Sequence, residues 1–260
     1  MSIKESENMY YKYRGLNVSY DVVGKGQPLI LLHGWGTSKK TFFSLVQELK
    51  DYYEIHLIDL IGFGESDEPV RPFNLDDYVL FIRDYVSRFN VDKPILLGHS
   101  FGGRIAIKYE SIFKDTDKLI LVDSAGIKRK NIKNKLKIWK YKFLKKWYKL
   151  TKNKTKYQKL VINSGSNDYK NATPIMKKTL SIIVKEDLKK HIKRINKETL
   201  IIWGQDDKVT PYKDALYLKK HLKNSGLVTF EDTGHFPYLE NKQRFNLIIK
   251  EYLKVNNVIH

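Results

Sequence analysis

Gly98-His99-Ser100-Phe101-Gly102-Gly103 joins two different hydrophobic patterns, and that placement decides the architecture. Ile95, Leu96 and Leu97 before it form the end of a continuous apolar run, the signature of a buried strand. After it, Ile105, Ala106, Ile107, Tyr109, Ile112 and Phe113 recur at helical spacing. Gly98 and Gly102 leave room where strand and helix nearly touch, so Ser100 can hold a strained backbone with its hydroxyl exposed above the sheet. The pattern GxSxG arises often by chance. The strand before it and the helix after it separate a nucleophile elbow from an ordinary solvated turn.

Working outward, the first half alternates strand and helix patterns in the manner of a mostly parallel sheet covered on both faces. Met9 to Arg14 and Asn17 to Val23 predict an opening hairpin around Gly15. Pro28 to Leu32 predicts a strand ending in His33-Gly34-Trp35-Gly36, followed by a helix from about Lys39 to Leu49 and a strand from Glu54 to Leu60. Asn74 or Asp76 is positioned to cap a helix carrying Tyr78, Phe81, Ile82, Tyr85, Val86 and Phe89. Lys118 to Asp123 predicts another buried strand. The alternation stops at Ser124-Ala125-Gly126 and resumes with a strand at Leu200 to Trp203, a helix at Pro211 to His221, a strand at Gly226 to Glu231 and a helix at Asn241 to Leu253. The expected organisation is a core of residues 1–125 and 187–260, split by a helical, lysine-rich cap over 126–186.

Composition narrows the chemistry. The 260 residues contain no cysteine, which excludes disulfides, thiol catalysis and cysteine-ligated zinc. The seven histidines show no metal-ligand spacing such as HExxH, so neither a metal nor a cofactor is implied. A polar start without an apolar signal core, and the lack of a run of membrane-spanning length, predict a cytoplasmic protein. The net charge of +19 is concentrated: between Lys128 and Leu160 stand fourteen lysines and one arginine with no acidic residue.

A serine hydroxyl needs a general base, a group orienting that base, and donors for the developing oxyanion. Thr233-Gly234-His235 follows the last predicted strand, a loop from which His235 reaches toward Ser100. Trp203-Gly204-Gln205-Asp206-Asp207 follows the preceding strand and supplies a carboxylate. The chain order Ser, Asp, His is that of a strand-turn-helix nucleophile, not of the chymotrypsin or subtilisin arrangements.

On these residues the chain resembles the α/β-hydrolase superfamily over nearly the whole core. His33-Gly34-Trp35-Gly36 is similar to the family's oxyanion segment, Asp59-Leu60-Ile61-Gly62-Phe63-Gly64-Glu65-Ser66 to its DxxGxGxS turn, and Gly234-His235-Phe236-Pro237 with Glu240 to its histidine loop. The resemblance implies an α/β-hydrolase fold with an inserted helical cap. It implies Ser100 as nucleophile, His235 as base, the backbone amides of Trp35 and Phe101 as oxyanion donors, and Asp207 as acid. Asp206 remains an alternative as the adjacent carboxylate, and Asp123 as a second, since some members carry the acid after the strand that follows the nucleophile helix. His33 and His99 fit structural roles, Asp59 a turn-stabilising one, and Arg104 pairing within the core. Members that open epoxides or displace halide carry aspartate at the elbow, so Ser100 points to acyl transfer.

Ile132, Leu136, Trp139, Phe143, Trp147 and Leu150 recur every three or four residues, giving the cap a basic amphipathic helix. Trp139, Phe143, Trp147 and Phe236 are the expected pocket residues, with Tyr157, Tyr169, Ile175 and Met176 as pocket or cap core. The lysines are either a solvated face or a docking site for an anionic carrier protein or an anionic membrane surface. The resembled family includes pimeloyl-carrier-protein methyl ester esterases, whose lids use basic residues. Nucleic acid ranks last, because no binding module accompanies the charge. The expectation is a serine hydrolase acting on a small-molecule carboxylic ester of an apolar acyl group. The alternatives are a carbon-carbon bond hydrolase or elimination enzyme with the same triad, a peptidase, and a hydrolase-like receptor that turns over slowly.

Overall fold

The computed structural model describes residues 9–128, 143, 147–148 and 171–255. Most of the lysine-rich stretch, with Trp139, Tyr157 and Tyr169, lies outside the described residues. An eight-stranded sheet runs in the order β1-β2-β4-β3-β5-β6-β7-β8, where β1 is Met9–Tyr13, β2 Leu16–Val23, β3 Gln27–Leu32, β4 Tyr53–Ile58, β5 Ile95–His99, β6 Leu119–Val122, β7 Thr199–Gly204 and β8 Ser225–Phe230. β1 and β2 pair antiparallel to their neighbours, and every pair from β4 to β8 is parallel. Among the described residues the helices that flank the sheet include α1 (Phe43–Leu49), α2 (Leu75–Arg88), α3 (Phe101–Phe113), α4 (Pro174–Ile183), α5 (Lys189–Ile192), α6 (Lys213–His221), α7 (Pro237–Glu240) and α8 (Lys242–Tyr252).

The alternation of side chains along each strand divides the core into two layers. Ile30, Leu32 and Leu96 pack with Tyr78, Phe81, Ile105 and Tyr109 of α2 and α3. Leu29, Leu31, Ile95 and Leu97 pack against Leu45, Leu49, Phe245 and Ile249 of α1 and α8 on the other face. Each central strand is therefore apolar on both sides, which is why these strands read as unbroken hydrophobic runs.

Local chemistry adjusts several predicted boundaries. The segment expected as a helix from Lys39 opens as a 3-10 turn, Lys39–Phe42, before α1. Here the buried Lys39 Nζ pairs with Asp21 at 3.0 Å and donates to Ser19 Oγ at 2.8 Å. β4 stops at Ile58, because Asp59 turns to accept hydrogen bonds from Lys39 N and Glu65 N at 2.8 and 3.0 Å. Asn74, not Asp76, caps α2: its Oδ1 accepts from Asp77 N at 2.9 Å, and Asp77 Oδ2 accepts from Asn74 N at 2.8 Å. Pro237 opens a short helix of its own, Pro237–Glu240, that the sequence did not suggest, and the helix expected from Asn241 to Leu253 follows it as α8.

The chain leaves β3 toward β4 on one side and returns to β5 on the other. The crevice beyond the carboxyl ends of β3 and β5 is thus a topological switch point, where open parallel sheets bind ligands. The segments that follow β3, β5, β6, β7 and β8 all emerge at this edge.

Candidate active site

Ser100 sits between β5 and α3 with φ 49° and ψ −104°, a left-handed conformation costly for any residue with a side chain. Close contacts enforce the bend. A Cβ on Gly102 would run into the Leu32 carbonyl oxygen, and one on Gly103 into Ser124 Oγ. Ser100 N donates to Val122 O and Ala125 N to Ser100 O, each at 3.0 Å, fastening the turn to the end of β6.

His235 Nε2 lies 3.0 Å from Ser100 Oγ, and His235 Nδ1 lies 2.7 Å from Asp207 Oδ2. A carboxylate only accepts, so Nδ1 carries the hydrogen and the Nε2 lone pair faces the serine hydroxyl. Asp207 also accepts from Val209 N at 2.6 Å, Thr210 N at 3.0 Å and Thr210 Oγ1. Burial pushes its carboxyl up, but the hydrogen bonds from His235 and Thr210 outweigh burial and hold it below its ordinary range. Asp206, its neighbour, points to solvent. Asp123 is buried beside Asp207, not hydrogen-bonded to His235.

The histidine loop is held from three directions. Glu240 accepts from Gly234 N at 2.7 Å and Phe236 N at 3.0 Å, on either side of His235. His99 Nε2 donates to His235 O at 2.8 Å while Tyr238 OH donates to His99 Nδ1 at 3.2 Å. Burial, reinforced by His235, lowers His99 to about 3, so it stays neutral. A Cβ on Gly204 would collide with the Gly234 carbonyl oxygen, which explains a glycine where the acid loop meets the histidine loop.

On the other side of Ser100, His33 fixes the turn that carries Trp35. Its Nε2 accepts from Leu60 N at 3.0 Å and its Nδ1 donates to Gly34 O at 2.8 Å, while burial keeps the ring neutral. Among the described residues, the backbone N–H groups of Trp35 and Phe101 donate to no protein acceptor. The Trp35 ring meets Phe63 and Phe101 edge-on at 4.8 and 5.4 Å between centroids. Trp35, Gly62, Phe63, Glu68, Thr173 and Met176 line a cavity of about 290 Å³ beside this aromatic wall.

Phe236 packs 5.1 Å from His99 and His235. Phe143 and Trp147 stack on one another at 6.3 Å, each 54% exposed, and line no part of that cavity. Arg104 donates to the carbonyls of Ile183 and Glu186 at 3.0 and 2.8 Å, so it binds the segment returning from the cap and not a partner within the core. Sequence reasoning gave no role to Thr210 or Phe63. Thr210 stands three residues beyond Asp207, an offset at which a hydroxyl folds back on a carboxylate, and Phe63 lies inside the glycine-rich turn.

A model of the alpha/beta hydrolase family matches residues 29–246. The chain belongs to the alpha/beta hydrolase family. It is 28% identical over 255 residues to the AB hydrolase superfamily protein YisY of Bacillus subtilis, covering 88% of this chain and 92% of that one. It is also 28% identical to a pimeloyl-[acyl-carrier protein] methyl ester esterase of Legionella pneumophila, over 92% of this chain and all of the relative. Among solved structures, an esterase from Exiguobacterium antarcticum superposes with a TM-score of 0.75 at 23% identity, covering 95% of this hydrolase and 100% of that chain. Among the described residues, no helix is long and apolar enough to cross a membrane.

Proposed function

We propose that this alpha/beta hydrolase is a serine esterase that cleaves a carboxylic ester of an apolar acyl group through an acyl-enzyme. The observation that carries the reading is the continuous relay from Ser100 Oγ through His235 to Asp207, with contacts of 3.0 and 2.7 Å, opening beside two uncommitted backbone donors. His235 Nε2 takes the hydroxyl proton as Oγ bonds to the ester carbonyl carbon. The carbonyl oxygen, now negative, receives hydrogen bonds from the N–H groups of Trp35 and Phe101. His235 then returns the proton to the departing alkoxide, leaving an alcohol and an acyl-Ser100 ester, which water cleaves by the same steps in reverse roles. Asp207 stays ionised and stabilises the imidazolium that forms at each stage.

The cavity of about 290 Å³ beside Trp35 is walled by Phe63 and Met176 on one part and by Glu68, Asn171 and Thr173 on another, which supports a small substrate with an apolar part resting on Phe63 and Met176. The fifteen positive charges between Lys128 and Leu160 support an anionic partner for the cap, and similarity to the carrier-protein esterase favours an acidic carrier over a lipid surface. Labelling with a fluorophosphonate probe tests the chemistry. Ser100 should be modified and Ser100→Ala should abolish both labelling and turnover of an activated ester. Labelling elsewhere, or turnover that persists in Ser100→Ala, would refute the mechanism.

A further inference from the structure

Asp123 follows β6 as Ser100 follows β5 and Asp207 follows β7, and the mechanism above does not use it. It is completely buried and holds a left-handed backbone at φ 41°. Its Oδ1 accepts from Gly204 N at 3.0 Å, while its Oδ2 has no hydrogen-bond partner among the described residues. A carboxylate oxygen of Asp123, one of Asp207 and a ring nitrogen of His235 all lie within 4.8 Å of one another. Two carboxylates this close, away from water, do not both ionise at neutral pH. The donors decide which keeps the charge. Asp207 receives two backbone N–H groups, the Thr210 hydroxyl and His235 Nδ1, whereas Asp123 receives one N–H.

We propose that Asp123 is a positioning residue: a carboxylic acid that remains protonated behind Asp207 and turns its Oδ2–H toward that carboxylate, so that the pair presents one negative charge to His235. The orphaned Oδ2 then becomes a donor with an acceptor beside it. Groups on every neighbouring segment act on this proton. Asp207 after β7 and Glu240 on α7 oppose a second negative charge, Gly204 N favours one, and His235 after β8 faces Asp207. Thr210 Oγ1 is also 3.0 Å from the Asp123 carbonyl oxygen. Burial first, and the charge of Asp207 after it, push Asp123 up to about 9. Near that pH the shared proton leaves, the two carboxylates repel, and the carboxylate that orients His235 loses a partner.

The protonation stands on geometry alone, and only its effect on rate rests on the serine-esterase reading. Asp123→Asn preserves the shape, the acceptor for Gly204 N and a donor toward Asp207. Its kcat on an activated ester at pH 7 should stay within about threefold of the parent with KM unchanged, while the alkaline fall in kcat near pH 9 disappears. Infrared titration of the unmodified protein supplies a readout independent of turnover. A carbonyl stretch of a neutral carboxylic acid should be present at pH 7, absent from Asp123→Asn, and lost as the pH passes above 9. If the spectrum at pH 7 holds only carboxylate bands, or if Asp123→Asn loses as much activity as Asp207→Asn, the proposal is overturned. The neutral-acid band together with an unlabelled Ser100 would leave the pair intact and remove the esterase reading alone.

Discussion

Replacing Asp123 by Asn should stabilise this protein, by an amount that grows with pH. The parent carboxyl is raised to about 9 in the folded chain, against about 3.9 when unfolded. The folded state therefore holds a proton that the unfolded state releases. For a group raised in this way, its contribution is intact below the unfolded value and is lost as pH climbs toward the folded one. The loss runs at about 1.4 kcal/mol per pH unit, so by pH 7 it reaches about 4 kcal/mol. Asparagine has no such equilibrium. Urea unfolding of parent and variant at pH 4.5, 6.0 and 7.5 should show their difference in stability shifting by about 4 kcal/mol across the series, in favour of the variant at the higher pH. Removing the repelling charge with Asp207→Asn should shrink that slope. A difference that stays flat within about 1 kcal/mol from pH 4.5 to 7.5 would refute the assignment of a proton to Asp123.

Four further outcomes follow from the same geometry. Asp207→Asn should lower kcat by about 10⁴ with little change in KM, because the hydrogen-bonded carboxylate selects the His235 tautomer and stabilises its charged form; steady-state kinetics on an activated ester checks this. His99, lowered to about 3 in the fold against an ordinary 6.5, makes the protein lose about 2 kcal/mol between pH 7 and pH 5 as the unfolded state takes up protons, and urea titrations of His99→Gln should show a weaker acid sensitivity. Gly102→Ala should destabilise by about 2 kcal/mol or more, since its Cβ meets the β3 backbone and not a flexible side chain, and the thermal midpoint should fall accordingly. Arg104→Met removes the donor that ties the carbonyls of Ile183 and Glu186 to α3; hydrogen exchange over residues 174–186 should accelerate, and KM should rise because Met176 on α4 walls the cavity.

The elbow was legible because its constraint is local. Ser100 and its glycines are consecutive, and the change from strand to helix pattern across them leaves a single geometry for the chain to follow. The order Ser, Asp, His was readable for a similar reason, since each residue follows an apolar run that ends at the same edge of the sheet. Boundaries were less legible where a side chain, not periodicity, ends an element: Asp59 stops β4 by accepting two backbone N–H groups, and Asn74 is selected over Asp76 by the reciprocal bond with Asp77.

The acid shows where sequence stops. Asp206 and Asp207 are adjacent and chemically identical, yet one faces solvent and the other is buried against His235, because successive side chains in a turn diverge. Asp123 lies 84 residues from Asp207 in the chain, and only the parallel pairing of β6 with β7 brings the two carboxyl groups together.

Spacing and residue type alone thus determined the sheet-and-helix alternation, the strained serine and the histidine that answers it. The tertiary structure decided which carboxylate lies against His235, which amides are left uncommitted and which aromatic rings wall the cavity. Those properties depend on desolvation and on donors contributed by distant strands, and neither is present until the sheet has assembled.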